Sequence, residues 1–180
     1  MIHFQQDCGF ILLVHPVADT RHWLEDVLEQ IGHTVISEAD VEGAMVNFQL
    51  NHQQLLLIDL NLIKDPIIAN FAIENPETPI VTVSHDVEMD SVLEGLKNGA
   101  IDHFFLNRGM VVLDHTVKRA LERGRLLKQN REYQQQLEAA NAELARSLET
   151  LQEDQEAGRR IQFRLLPQTP YQAFSNCIVT

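Results

Sequence analysis

The stretch that most constrains this chain is Leu55-Leu56-Leu57-Ile58-Asp59, where an unbroken apolar run ends directly in a carboxylate. A short apolar run without polar alternation reads as a strand buried on both faces, as in the middle of a parallel sheet. Open α/β sheets place ligands and chemistry at the C-terminal ends of such strands. Asp59 stands at that end, just before the chain turns polar at Asn61, Lys64 and Asp65. Burying a carboxylate without partners is expensive, so its position points to function rather than to packing.

The surrounding sequence supplies the rest of such a sheet. Phe10-Ile11-Leu12-Leu13-Val14 predicts a second buried strand, and His33–Ile36, Pro79–Ser84 and Asp102–Leu106 predict three more. Trp23, Leu24, Val27, Leu28 and Ile31 recur at helical spacing from Asp19 and stop at Gly32, a helix with a glycine close. Asp40 suits the N-cap of a helix carrying Ala44, Met45, Phe48 and Leu50. A further helix is expected around Ile67–Ile73, beginning beside Pro66, and another from Asp86 to Leu96, ending at Asn98-Gly99. Alternation of strands and helices implies right-handed crossovers and an α/β fold with helices on both faces of the sheet.

From Val111 the pattern becomes helical and stays so, with no proline between Pro79 and Pro167. Leu137, Leu144 and Leu151 are spaced by sevens, and Leu127, Gln134, Asn141 and Leu148 form the complementary series. Leucine at d, with a mixed a series whose polar Asn141 fixes register, fits a parallel two-stranded coiled coil. A helix from Val112 to about Arg160 would extend about 70 Å, too far to pack on its own domain. Gly124, within Arg123-Gly124-Arg125, is the weak point of that helix and a candidate hinge. The expected organisation is an extension over 1–9, an α/β domain over 10–122, a coiled coil over 123–160, and the beginning of a further domain over 161–180.

Composition narrows the partners. A net charge of -12 argues against nucleic acid, whose phosphates call for basic patches. No apolar run approaches the roughly 18 residues that span a bilayer, and the first residues lack the pattern of a signal peptide. Cys8 and Cys177 are far apart and fit no metal or redox spacing, as suits a reducing cytoplasm. Protein partners are expected, without a membrane.

Residues 10 to about 122 resemble the receiver domain of bacterial two-component response regulators. The resemblance rests on the alternation, the Leu-Ile-Asp strand, Pro79-Ile80-Val81-Thr82-Val83-Ser84, and Asn98-Gly99-Ala100-Ile101-Asp102-His103 before the last strand. It implies a flavodoxin-like, five-stranded parallel sheet of order 2-1-3-4-5. Receivers hold Mg²⁺ with the phosphoacceptor aspartate and an acidic pair after the first strand. A serine or threonine after the fourth strand and a lysine after the fifth bind the phosphoryl oxygens.

By that resemblance Asp59 takes the phosphoacceptor position and Ser84 the hydroxyl position. His15-Pro16 replaces the acidic pair, and Leu106 replaces the lysine, with Asn107 and Arg108 next to it. Proline has no side-chain ligand and imidazole suits a hard ion poorly, so Mg²⁺ is expected to be lost. The sequence thus describes a pseudo-receiver with an incomplete phosphorylation site, in which an imidazolium at His15 could pair with Asp59 in place of the ion. Arg108 as a substitute cation is the route by which phosphorylation could survive. His15, His85 and His103 are expected at the same sheet edge, but no ligand spacing among them supports a transition metal. The other histidines, His3, His22, His33, His52 and His115, are expected at the surface.

The segment Ala157–Gln162 through Leu165-Leu166-Pro167 is similar to the lead-in of bacterial PPM-type serine/threonine phosphatases. In that family a receiver, a coiled coil and a phosphatase often follow one another and act in stress or sigma-factor regulation. The metal-binding aspartates of that family would lie beyond Thr180, so residues 1–180 are not expected to be an enzyme. The combined expectation is a dimeric regulatory module coupled to an output domain. The alternatives are a conventional receiver phosphorylated on Asp59 by a histidine kinase, or an adaptor that binds a sigma or anti-sigma factor.

Overall fold

The computed structural model describes residues 8–85 and 89–165. Five strands, β1 (Phe10–Val14), β2 (Thr34–Glu38), β3 (Leu55–Asp59), β4 (Ile80–Ser84) and β5 (Asp102–Phe105), alternate with α1 (Ala18–Ile31), α2 (Val41–Asn51), α3 (Pro66–Glu74), α4 (Met89–Lys97) and α5 (Met110–Leu165). All neighbouring strands pair in parallel, in the order β2-β1-β3-β4-β5. This is the flavodoxin-like arrangement expected from the sequence.

The unalternating strands are explained by what lies on each side of them. Ile11, Leu13, Leu55, Leu57, Val81 and Val83 face one apolar layer with Leu24 and Leu28 of α1 and Leu113, Val117 and Ala120 of α5. Leu12, Val14, Leu56, Ile58 and Ile80 face a second layer with Ala44 and Phe48 of α2 and Ile68 and Phe71 of α3. Each fully buried aliphatic side chain contributes about 1.5–3 kcal/mol, and β3, with every residue buried, is the centre of both layers.

Local chemistry sets the helix ends. Gly32 closes α1 at φ 105, where its N–H bonds back to the last turn. The Asp40 carboxylate accepts from Gly43 N–H at 2.8 Å and caps α2. Asp65 caps α3 by accepting from Ile67 N–H at 2.9 Å, with Pro66 in the first turn where its missing N–H costs nothing.

Several elements depart from the sequence reading. β2 begins at Thr34 and runs past Ile36 to Glu38, because the whole length of β1 is available for pairing, up to Val14 opposite Glu38. β4 begins at Ile80, and β5 stops at Phe105, followed by a 3-10 turn over Leu106–Arg108. Leu50 is exposed, since two residues beyond buried Phe48 a helix has turned about 200° from the core. His33, expected at the surface, is buried. The helix read from Asp86 is described from Met89, and residues 86–88 lie outside the described ones.

The chain divides into two compact units, the first reaching Arg131 and the second beginning at Glu132. The α/β unit therefore includes more of α5 than the boundary at 122 allowed. Gly124 packs against Glu77 and Pro79, and the Arg131 guanidinium reaches the Glu77 carboxylate at 2.9 Å. In the second unit α5 continues through Gly158 to Leu165, past the expected end near Arg160. Residues 166–180, including Pro167 and Cys177, lie outside the described ones, as does His3.

Candidate functional site at the C-terminal edge of the sheet

Parallel strands bring His15, Asp59, Ser84 and Leu106 to one edge, because each follows or ends a strand that runs the same way. Asp59 is only 7% exposed, and both carboxylate oxygens are engaged. Oδ1 accepts from Asn61 N–H at 2.8 Å, and Oδ2 lies 3.3 Å from His15 Nε2. Burial on its own would raise the Asp59 pKa. The hydrogen bonds from the His15 ring and from the Asn61 backbone and side chain outweigh it and hold the carboxyl below its ordinary value.

The contacts of His15 fix the character of this pair. Its Nδ1 accepts from Val17 N–H at 3.2 Å, so that nitrogen carries no proton. The proton sits on Nε2 and is donated to Asp59. The sequence expected these two residues to pair, and the geometry brings His15 Nε2 onto the carboxylate. The backbone holds the ring in place: His15 N–H donates to Glu38 O at 3.1 Å, and the Arg21 guanidinium donates to His15 O at 2.7 Å. Pro16, which follows, is exposed.

Ser84 belongs to a second network. Thr82 Oγ1 donates to Asp102 O at 3.3 Å and lies 2.9 Å from His103 Nδ1, so it accepts from that ring nitrogen. His103 Nε2 is then left to accept from Ser84 Oγ, 3.1 Å away. Burial pushes the His103 pKa below its ordinary value, against the pull of Asp102, consistent with a neutral ring. The ring also meets Phe105 edge-on at 4.5 Å between centroids.

Among the described residues no replacement cation meets the carboxylate. Leu106, where the resemblance calls for a lysine, is buried, and the Arg108 guanidinium lies 5.9 Å from the centre of the Phe105 ring. Among the described residues, the ion-pair contact of Asp59 is with His15. Nor do the residues present fit Mg²⁺. Asp59 has both carboxylate oxygens bonded and stands beside an imidazole and a proline, and among the described residues no three ligating groups gather there, where a hard ion asks for several oxygens.

Among the described residues no three ligating side chains converge on a point. The imidazoles expected together have separate partners: His15 bonds Asp59, His103 bonds Thr82 and Ser84, and His85 lies 3.4 Å from Thr20 Oγ1. Two members of the site escaped the sequence reading. Thr82 is two residues before Ser84 and so shares its face of the strand, and Asn61 completes a common aspartate turn two residues after Asp59.

No protein-family model and no characterised protein matches the sequence. Solved structures do. NtrX from Brucella abortus superposes with a TM-score of 0.65 at 22% identity, over 69% of this chain and 29% of that one. A response regulator receiver domain protein from Clostridium thermocellum gives 0.59 at 17% identity, over 66% of this chain and 98% of that one. A response regulator from Thermotoga maritima gives 0.56 at 22%, over 64% and 98% respectively. The chain thus has the fold of response-regulator receivers. It matches less than a third of the length of the NtrX chain.

Proposed function

We propose that this chain is a signalling module of the receiver type whose site has given up phosphoryl transfer, a pseudo-receiver. The observation that carries this is His15 Nε2 on Asp59 Oδ2, at the position where the receiver family holds Mg²⁺. A phosphoryl group would add about -1.5 to -2 of charge, and with neither an ion nor a lysine it would meet little compensation. The histidine occupies one carboxylate oxygen and Asn61 the other, so the resting carboxylate is already satisfied. The module works in the cytoplasm as a homodimer through the leucine seam of α5. It positions an output domain, of the PPM phosphatase type, in stress or sigma-factor regulation.

The test is a titration of the ¹⁵N-labelled chain with Mg²⁺, then with Mg²⁺ and beryllofluoride. Amide signals of His15, Asp59 and Ser84 are expected to stay in place, and acetyl phosphate is expected to leave the mass unchanged. Saturating shifts in the low millimolar range, or a phosphoryl adduct on Asp59, would establish a conventional receiver instead.

A further inference from the structure

The opposite edge of the sheet holds a cavity that the Asp59 chemistry does not use. Its volume is about 780 Å³, within the usual range for small-molecule sites. Its walls are residues at the N-terminal ends of strands, Gly9 before β1, Gln53 and Gln54 before β3 and Thr78 before β4, closed by Leu121–Lys128 of α5. We propose that this cavity binds a small aromatic acid.

Two features define that occupant. First, the apolar part of the wall is Leu121 with Phe48 and His52, whose rings meet edge-on at 6.1 Å. Such a wall accepts a flat ring. Second, its charge is unbalanced. Of the two carboxylates, Glu122 is bound by Arg125 at 2.7 Å and Glu77 by Arg131 at 2.9 Å. Lys118 is bound to Asp114, at 2.8 Å. Lys128 makes no hydrogen bond or ion pair with any described group, in a chain whose net charge is -12. A lone ammonium on a cavity rim calls for one anionic group.

An aromatic ring bearing one anionic group meets both demands. A phosphate ion meets only the second.

The probes are naphthalene-1-sulfonate, its neutral analogue naphthalene-1-methanol, and inorganic sulfate, each titrated into the ¹⁵N-labelled full chain. The sulfonate is expected to saturate and to shift the amides of Gly9, His52–Gln54, Thr78 and Leu121–Lys128. The alcohol and sulfate are each expected to bind at least about tenfold more weakly, because each carries only one of the two features. Lys128→Glu, on an exposed helical face where folding is not at stake, is expected to weaken the sulfonate by a similar factor. Equal affinity of wild type and K128E overturns the proposal. So does sulfate binding as well as the sulfonate, or shifts confined to the exposed leucines further along α5.

Discussion

Three titratable groups, two buried and one half-buried, give this protein an acid sensitivity whose sign can be worked out. His33 Nδ1 accepts from Gly9 N–H at 3.0 Å, so its proton sits on Nε2, which is buried with no acceptor among the described residues. Burial pushes the His33 pKa below its ordinary 6.5; Asp114 opposes this and Lys118 adds to it. His103 is lowered from the same value by burial. A base with a depressed folded pKa is protonated more readily in the unfolded chain. Its contribution is intact above 6.5 and is lost as pH falls from there toward the folded pKa. Asp59 acts lower: its contribution is present above 3.8 and lost as pH falls through its depressed folded value. Urea midpoints are therefore expected to fall from pH 7 to 5, and again below pH 4. The double variant His33→Asn, His103→Asn should be less stable at pH 8 but flatter between 7 and 5. A slope equal to that of the wild type would show that neither imidazole is responsible. The sequence put His15 and Asp59 together because both adjoin strand ends. It could not place His33, whose burial depends on Gly9 and α5, both distant in sequence.

Gly124 shows how an element's sequence can suggest one role and its packing another. In a solvated helix glycine costs about 1 kcal/mol relative to alanine, which made the position look like a hinge. In the fold it is buried, and a Cβ added there would stand 2.8 Å from the Glu77 carbonyl oxygen and 2.8 Å from Pro79 Cδ. The missing side chain lets α5 approach the turn before β4. Gly158, in the same helix, has nothing within 4 Å of such a Cβ. Alanine is therefore expected to act in opposite directions at the two sites. Gly158→Ala should stabilise helix formation by about 0.5–1 kcal/mol. Gly124→Ala should destabilise the α/β unit by about 1–3 kcal/mol through overpacking. Circular dichroism melts of both variants decide this, and a gain in both would show that Gly124 is not needed for the close approach of α5. Spacing reports burial when the neighbours are sheet and helix on both sides, as for β1, β3 and β4. It does not report a backbone contact made across 47 residues of chain, between Glu77 and Gly124. Nor does it report a strand such as β2, whose polar end pairs because β1 is there to pair with.

At the scale of the whole molecule, the decisive feature is the unpaired leucine stripe of α5. Leu137, Leu144, Leu148 and Leu151 are each more than half exposed in a single copy. Leu127, within the α/β unit, is 43% exposed. An apolar stripe this regular is costly in water, and its heptad spacing suits a second copy of the same helix better than an irregular partner surface. Gln134 and Asn141 at alternate layers weaken the seam but would fix its register, since a slipped pairing leaves them opposite leucine. Leu137→Glu with Leu144→Glu removes two successive d layers and places like charges opposite one another. By sedimentation equilibrium at tens of micromolar, the wild type is expected to be dimeric and the double variant monomeric. The melt of the α/β unit should be unchanged, because its two apolar layers draw on α5 only as far as Leu121. Helical ellipticity should drop, since a solvated helix without its partner loses most of its tertiary support. A wild type that is monomeric in this range, or a double variant that stays dimeric, would move the dimer interface away from the coiled coil.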